Sequence, residues 1–179
     1  MTNEYLKEYF SKEWIESRAS DIWNYKYTGL ELIEKIKPNE RVLDVGCGTN
    51  PYKKLLPNVY GIDITDIGAD QVIAIEDFKT EEKFDVAFCL GSINFGPEEL
   101  ILRQIQSTVD ALRPSSRIYW RCNPGRQDHN NEGCKQIDFF PWDPDKLFYY
   151  AKDFGYEVVA IARDYTSDQR VRWYAEWIK

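Results

Sequence analysis

The segment 41–51, RVLDVGCGTNP, constrains the fold of this 179-residue chain more than any other part. Residues 42–45 are mostly apolar and β-branched, which is typical of a buried parallel strand. Gly46 and Gly48 follow at once, and glycine is needed where a backbone turns tightly or where a ligand approaches it without a Cβ in the way. Pro51 suits the first turn of a helix. The segment therefore predicts a strand, a glycine loop and a helix start, the place where an α/β sheet binds nucleotide-like ligands.

A second predicted strand, residues 59–64 (VYGIDI), carries Asp63 nineteen residues after Asp44. A carboxylate at this spacing accepts the hydroxyl protons of a ribose in dinucleotide-binding folds. Two features argue against NAD: the third glycine of its fingerprint would fall at Pro51, and Asp44 beside the loop would repel a pyrophosphate. An acid in that position suits a ligand with a positively charged end.

Together, DVGCG (44–48) and GIDI (61–64) resemble motifs one and two of the class I S-adenosylmethionine (SAM)-dependent methyltransferases. The family's first motif usually has a third small residue where this chain has Asn50, and asparagine tolerates positive φ better than most residues. The resemblance implies a Rossmann-like α/β fold with a seven-stranded, mostly parallel sheet, an antiparallel last strand and helices on both faces. It covers about residues 40–179. A glycine turn in an α/β domain that binds no ligand is the alternative.

The resemblance also implies which residues bind SAM and its product S-adenosylhomocysteine (SAH). Asp44 would fix the loop and the amino-acid end of SAM, and Asp63 would hold the ribose. In this family an acid just past the third strand contacts the adenine and its neighbour packs on the ring; we assign these roles to Asp77 and Phe78, with Glu76 as the close alternative. The expected cofactor-binding residues are Asp44, Gly46, Cys47, Gly48, Asn50, Asp63, Ile64, Asp77, Phe78 and Leu90.

Apolar periodicity and turn residues predict the other elements. We expect helices over 4–17, 28–36, 52–56, 97–112 and 144–154, and strands over 42–45, 59–64, 71–75, 84–90, 117–122, 156–162 and 171–178. Thr28 is expected to cap the second helix. The last strand alternates, so Val171, Trp173, Ala175 and Trp177 are expected to point inward, and Arg172, Tyr174 and Glu176 outward. A helix-less connection joins it to the strand before, which makes that pair antiparallel.

The chain length favours one domain, 1–179, in which residues 1–37 form a helical cap over the cleft and 38–179 form the α/β core. Residues 123–145 are a long polar loop at the carboxyl end of the sheet, and we expect them to read the substrate. His129, the single histidine, and Trp142 lie in this loop. Tyr25 is a third expected substrate contact, because N-terminal helices help to shape the substrate pocket in the family resembled. A lone histidine in a polar loop is more often a surface residue, so no catalytic residue is assigned.

Residues 90–96, LGSINFG, follow the fourth strand, whose far end faces the transferred methyl group in the family resembled. They lack the Asn/Asp/Ser-Pro-Pro-aromatic motif with which amino-methylating enzymes hold a flat NH₂ group. This counts against methylation of DNA adenine, of cytosine N4 and of glutamine.

Composition limits the compartment and the partners. The 23 Lys and Arg residues against 30 Asp and Glu give a net charge of −7, and an acidic surface repels phosphate backbones. Nucleic acid is therefore disfavoured as a partner, and no membrane association is expected. The chain shows no run long enough to span a membrane and no signal-peptide pattern, so we expect a cytoplasmic protein. Cys122, His129 and Cys134 make only a weak zinc cluster, and no metal is expected.

The expected function is that of a SAM-dependent methyltransferase whose acceptor is a small molecule of unidentified structure. Three alternatives stay open. The first is a SAM- or SAH-binding module or partner subunit without activity. The second is an RNA- or tRNA-modifying methyltransferase. The third is an enzyme of the same fold that transfers another group, such as an aminopropyl chain.

Overall fold

A single mixed sheet organises the protein, as seen in a computed structural model that describes residues 3–14, 21–125, 132–165 and 171–179. Its seven strands lie in the order β3-β2-β1-β4-β5-β7-β6. They are β1 Val42–Val45, β2 Val59–Asp63, β3 Gln71–Val72, β4 Phe84–Leu90, β5 Leu112–Cys122, β6 Glu157–Tyr165 and β7 Val171–Ile178. Only β7 is antiparallel to its neighbours, β5 and β6. The predicted seven-stranded sheet with an antiparallel last strand is confirmed.

The strand order reverses beside β1, where the chain returns from β3 at one edge to place β4 on the other side of β1. Asp44 of β1 lies between Gly61 of β2 and Phe88 of β4. The carboxyl ends of β1, β2, β4 and β5 therefore meet at one edge of the sheet. In open α/β sheets, ligands bind in the crevice outside such a switch point.

In the part of the chain that the structure describes, four α-helices and several short helical turns surround the sheet. The α-helices are α1 Asn3–Tyr9, α2 Leu30–Glu34, α3 Glu98–Asp110 and α4 Pro144–Asp153. A π-helical turn, Phe10–Trp14, continues α1, and 3-10 turns lie at Asp21–Asn24, Pro51–Lys54, Ile75–Asp77 and Glu132–Gln136. The α-helices are shorter than predicted, and the part of the first expected helix beyond Trp14 lies outside the described residues. No helix among the described residues has the length and hydropathy needed to cross a membrane.

Strand side chains alternate between two buried faces. On one face Leu43, Ala87 and Trp120 pack under α3 and α4. On the other face Val42, Phe88 and Tyr119 pack under α2 and the turn at 51–54. Helices on both faces were predicted, and the second face is covered by shorter elements than the first.

This second face overturns the outward orientation expected for part of β7. Arg172 is 7% exposed and Tyr174 only 2%, because the N-terminal segment packs on this side of the sheet and the Tyr27 ring stacks on Tyr174 with centroids 5.1 Å apart. Strand β7 alternates as predicted, but both of its faces are buried.

Asp164 of β6 anchors the N-terminal segment to the sheet. This fully buried carboxylate accepts hydrogen bonds from the Tyr27 N–H (2.8 Å), the Thr28 N–H (3.2 Å) and the Thr28 hydroxyl (2.6 Å). The expectation that Thr28 caps the second helix is therefore wrong. Gly29 occupies that position and offers no side-chain cap.

Residues 3–14 pack against residues 132–139, and we call these two segments together the aromatic cover. Leu6 and Tyr9 are buried against Ile137 and Phe139, and the Tyr9 hydroxyl lies 2.9 Å from the Cys134 sulfur. A strand-like bridge joins Phe139 to Phe95, just after β4. Residues 134–139 of the long 123–145 loop are thus packed against α1.

Candidate functional site

A cavity of about 200 Å³ opens at the carboxyl edge of the sheet. Four strands each contribute a lining residue at or near their ends: Asp44 from β1, Asp63 from β2, Leu90 from β4 and Arg121 from β5. The aromatic cover forms the opposite wall with Leu6, Tyr9, Phe10, Trp14 and Phe139. The cavity occupies the crevice at the topological switch point, which is where this sheet is expected to bind a ligand.

The glycine loop between β1 and the 51–54 turn needs its unusual residues. Gly46, Gly48 and Asn50 have φ angles of 68°, 53° and 50°, in the left-handed region that favours glycine and tolerates asparagine. A Cβ on Gly46 would lie 2.2 Å from the Ser92 Cβ, and one on Gly48 would lie 3.3 Å from the Trp14 ring. As expected, other atoms lie too close to the loop backbone for a Cβ to fit. In this structure those atoms belong to the side chains of Ser92 and Trp14.

Asn50 confirms the predicted positive φ, yet its side chain does not line the cavity. Its amide donates to the Gly68 carbonyl oxygen at 3.1 Å and to the Asp70 carboxylate at 3.4 Å. The residue therefore supports the loop from behind and does not contact the cavity directly, which corrects the expected role of this side chain in cofactor binding.

Asp63 ties β2 to the glycine loop. One carboxylate oxygen accepts the Gly48 N–H at 2.8 Å, and the other accepts the N–H and the hydroxyl of Thr65, each at 2.8 Å. A carboxylate offers roughly four acceptor positions, so one remains for a ligand hydroxyl. Asp63 lies on the cavity as expected, and it also fixes the loop conformation.

Asp44 is buried without a partner. It is 3% exposed, its Oδ2 is fully buried, and no described residue donates a hydrogen bond to it or lies within ion-pair distance. Burial raises the pKa of Asp44 to about 7, against a lowering by the Arg121 guanidinium, and nearby Asp63 raises it further. Such an unsatisfied carboxyl is costly in a folded protein, and it marks a place for a positively charged or hydrogen-bond-donating ligand group.

Beyond β3 the structure places Glu76 on the cavity. Asp77 is exposed and Phe78 is buried in the core under α3, so neither lies where the sequence assignment put it. Strand β3 ends at Val72, earlier than predicted, and the 3-10 turn that follows changes which residue faces the site. Glu76 accepts a hydrogen bond from the Gln104 amide of α3 at 3.1 Å, and the other amide atom, Oε1 of Gln104, is buried without a partner.

The remaining expected residues divide clearly. Cys47, Ile64, Leu90 and Tyr25 line the cavity, and burial raises the pKa of the Cys47 thiol well above its usual range. Trp142 does not line it: the indole is 2% exposed, donates to the Ile93 carbonyl at 2.8 Å and packs against Trp120. Because Trp142 is buried in the core and its indole N–H already has a partner there, its expected role as a substrate contact is corrected. His129 lies outside the described residues.

Arg121 is a cavity residue that the sequence assignment missed. Its guanidinium lies 4.3 Å from the centroid of the Tyr25 ring and donates to the Leu90 carbonyl at 2.8 Å. The available signal was a charged residue near the carboxyl end of an apolar strand, where a solvent-facing side chain is not expected. Among the described residues no group of three or more His, Cys, Asp or Glu side chains is placed to hold a metal ion.

Comparison with known sequences does not assign the chain to a family. No family model matches the chain. An uncharacterized protein of Methanocaldococcus jannaschii is 38% identical over 64 residues, which are 34% of this chain and 25% of that protein. The chain thus matches about a quarter of the length of this relative.

Solved structures resemble the whole chain. A putative methyltransferase in complex with the Trm112 methyltransferase activator of Haloferax volcanii has a TM-score of 0.75 at 12% identity, over 99% of this chain and 98% of that one. The 1,6-didemethyltoxoflavin-N1-methyltransferase of Burkholderia thailandensis, with 1,6-didemethyltoxoflavin and SAH bound, has 0.74 at 12% identity, over 98% and 88%. Magnesium protoporphyrin IX methyltransferase of Synechocystis PCC 6803, with bound SAH, has 0.72 at 14% identity, over 99% of each chain.

At 12–14% identity these likenesses establish architecture, and function has to be argued from the site. The seven strands, the antiparallel β7 and the glycine loop after β1 all agree with what the resemblance implies. The chain has the Rossmann-like fold of the class I SAM-dependent methyltransferases.

Proposed function

We propose that this chain binds SAM in the cavity and transfers its methyl group to a small-molecule acceptor. The observation that carries the proposal is the unpartnered, buried Asp44 carboxyl beside a loop held in left-handed conformations. An α-amino group bears the positive charge and the N–H donors that this carboxyl lacks. A pyrophosphate, in contrast, would place negative charge against it.

A second buried acceptor without a donor, Oε1 of Gln104, supports an adenine at the other side of the site. Glu76, in the turn after β3, is joined to Gln104 of α3, and both line the cavity together with Asp44 of β1. Asp63 of β2 lines the same cavity and has one acceptor position to spare for a ribose. These hydrogen-bond acceptors thus suit the amino group, the ribose and the adenine of an adenosyl amino acid.

When bound, SAM supplies a methyl group already activated by its sulfonium, so no residue has to create an electrophile. The chain's own task is to hold the acceptor in line and to exclude water, and such orientation contributes several kcal/mol or more to catalysis. Tyr9, Phe10 and Trp14 of the aromatic cover close one wall of the cavity. Their ring faces favour a nearby cation by cation–π attraction.

A small acceptor is favoured by the same cover. Packing of residues 3–14 against 132–139 covers one side of the cavity with aromatic side chains, which favours a small acceptor over a polymer. The toxoflavin and protoporphyrin enzymes named above, which share the fold, act on small molecules by their names.

A partner-dependent enzyme is the second candidate, and the Haloferax neighbour, which was solved as a complex with an activator protein, favours it. In that case the isolated chain would bind SAM weakly and would gain affinity when its partner is added.

Isothermal calorimetry of the purified chain with SAM, SAH and NAD tests the proposal. We expect binding of SAM and SAH in the micromolar range and none of NAD. Absence of SAM and SAH binding would contradict the proposal for the isolated chain. Mass analysis of the product formed from a bound acceptor then distinguishes a transferred methyl group from an aminopropyl group.

A further inference from the structure

A recess in the cavity wall lies over Gly91, the residue that follows β4, and we call it the Gly91 recess. Gly91 lines the cavity and has a φ of 98°, a backbone conformation that favours glycine. Apart from the adjacent residues of the chain, the atoms nearest to an added Cβ are three nitrogens: an Arg121 Nη and the Asn94 Nδ2, each at 3.9 Å, and the Arg121 Nε at 4.0 Å. All three carry N–H groups. The Gly91 recess is therefore framed by hydrogen-bond donors, which suits an anion.

The Arg121 guanidinium is held in place but only partly satisfied. It is 8% exposed, and arginine is almost never buried unless it is paired. One Nη donates to the Leu90 carbonyl at 2.8 Å, the other donates to the Thr28 hydroxyl at 3.2 Å, and the Tyr25 ring lies against its face. These bonds use two of its five N–H groups. Both acceptors are neutral, so the guanidinium can still bind an anion.

The Asn94 amide is oriented by the backbone of the neighbouring strand. Asn94 is 3% exposed, and its Oδ1 accepts the Asn123 N–H at 2.9 Å. This bond fixes which end of the amide faces the Gly91 recess, because the oxygen is engaged on the other side. The Asn94 NH₂ group therefore adds a second donor group to the recess beside Arg121.

The Gly91 recess lies next to the buried carboxyl of Asp44. Arg121 is close enough to Asp44 to lower its pKa, yet the two side chains form no ion pair and Oδ2 of Asp44 has no donor. Ser92 lies against Gly46, so the recess adjoins the glycine loop. An acceptor without a donor thus lies near donors without an acceptor. In an α-amino acid the nitrogen and the carboxyl carbon are about 2.5 Å apart, because both are bonded to one carbon, so an amine placed at Asp44 brings its carboxylate with it.

We propose that the Gly91 recess binds the α-carboxylate of SAM and SAH through Arg121 and Asn94, an inference that rests on the proposed function. A guanidinium binds a carboxylate with strong, charge-assisted hydrogen bonds. The bonds described above fix both side chains before the ligand arrives, so little side-chain freedom is lost on binding. Arg121 and Asn94 thereby determine the specificity for the cofactor: they recognise a donor that keeps its carboxylate.

The Gly91 recess also bears on which group is transferred. Transfer of an aminopropyl chain needs a donor whose chain has lost its carboxylate, because the carboxyl carbon would otherwise move with the chain. Such a donor leaves the buried Arg121 without its anion, and an unpaired buried charge reduces the binding free energy. The recess therefore favours SAM over its decarboxylated form, and methyl transfer over aminopropyl transfer.

The test compares two ligands of the full chain by calorimetry at pH 8. One is SAH, and the other is S-adenosyl-3-thiopropylamine, which is SAH without its α-carboxylate. We expect the wild type to bind SAH about tenfold or more tightly, as for a charged hydrogen-bonded pair. Arg121→Gln should weaken SAH binding and bring the two ligands to similar affinity. Arg103→Gln is the matched control, since Arg103 is exposed on α3 outside the cavity, and it should keep the preference for SAH.

A second variant, Asn94→Asp, tests the same recess with less risk to the fold. It keeps an oxygen that accepts the Asn123 N–H and replaces the NH₂ group with a second oxygen. The added negative charge should weaken SAH binding about tenfold or more. The decarboxylated ligand, which has no carboxylate to be repelled, should lose no affinity.

Failure of the wild type to bind SAH would overturn the proposed function itself. Normal SAH binding with equal affinity for the decarboxylated ligand would overturn this inference alone, and it is the result expected if the recess served a carboxylate of the acceptor. A preference for SAH that survives either Arg121→Gln or Asn94→Asp would also overturn it. If Arg121→Gln binds neither ligand, Asn94→Asp decides: a reduced preference supports the inference and an unchanged one overturns it.

Discussion

Asp44 is a residue whose burial opposes folding while it prepares a binding site. Its carboxyl lies in the interior without a hydrogen bond from any described residue, and function-related groups of this kind reduce stability until the ligand arrives. Two measurable consequences follow, one for stability and one for binding.

The first prediction concerns the stability of Asp44→Asn. The pKa of Asp44 is about 7 in the folded protein against an ordinary value of 3.8, so protonation favours the folded state. The free energy of unfolding therefore falls as the pH rises from 4 to 7, by up to roughly 4 kcal/mol from this group. Asp44→Asn removes the charge, so its Tm should exceed that of the wild type at pH 8 and approach it at pH 4, as measured by thermal denaturation at both pH values. A lower Tm for the variant at pH 8 would contradict this.

The second prediction concerns the pH dependence of SAH affinity. A ligand amino group prefers ionised Asp44, so the affinity of the wild type should rise between pH 6 and pH 8, through the pKa of Asp44 near 7. Asp44→Asn should bind SAH at least about tenfold more weakly at pH 8, as expected for loss of a charged hydrogen bond. Its affinity should also vary less with pH. Calorimetric titrations at several pH values measure both effects, and equal affinity of the two proteins at pH 8 would rule out Asp44 as the amino-group site.

At this scale the sequence identified the residues that lie within the two motifs. Asp44, Cys47, Asp63 and Ile64 all reach the cavity, because strand ends and tight turns fix where such residues point. Glu76 was misjudged by a single position, since a short 3-10 turn changes the facing residue. The partnership of Arg121 with Tyr25 and Thr28 joins segments about ninety residues apart, and no local pattern encodes it.

Among the elements, the glycine loop gives the clearest steric prediction. Gly46→Ala should destabilise the protein by about 1–3 kcal/mol, because Ala at positive φ is strained and its Cβ would overlap that of Ser92. The double variant Gly46→Ala with Ser92→Gly should recover part of this loss. Gly125→Ala is the control, since Gly125 also has a positive φ but has no atom within 4 Å of its added Cβ. Urea unfolding of the four proteins measures the difference, and no recovery in the double variant would remove the steric explanation.

The aromatic cover provides a second prediction at this scale. Trp14 lies against Gly48 of the loop and lines the cavity, so Trp14→Ala should weaken SAH binding about tenfold while the sheet stays folded. Phe148→Ala serves as the matched control, because Phe148 lies on α4 with 54% of its surface exposed. An equal effect of the two substitutions on SAH affinity, measured by calorimetry, would show that the cover does not contact the ligand.

Element bounds were predicted best where a clear period met clear stops. Strands β4 and β7 have the predicted bounds, because each combines dense apolar residues with an abrupt change in pattern. The misassigned cap at Thr28 has a different cause: its hydroxyl bonds to Asp164, more than a hundred residues away. Strand β7 was expected to have a solvated face, but its second face packs against Tyr27, a contact that alternation cannot reveal.

At the scale of the whole molecule, the architecture follows from two sequence motifs and their spacing. They fix β1 and β2, the sharing of one sheet edge by their carboxyl ends, and hence the location of the cavity. The enclosure of that cavity depends on α1 meeting residues 132–139, a long-range packing of aromatic residues that only the folded chain defines. The position of the site was predictable, whereas its cover and the placement of Arg121 were not.

The central claim is that this cavity binds SAM with its amino group at Asp44. A crystal structure of the protein with bound SAH tests it most directly. We expect the amino group of SAH to lie within hydrogen-bond distance of the Asp44 carboxylate, the ribose hydroxyls beside Asp63 and the adenine beside Glu76 and Gln104. SAH bound outside the cavity, or bound with its amino group away from Asp44, would contradict the account.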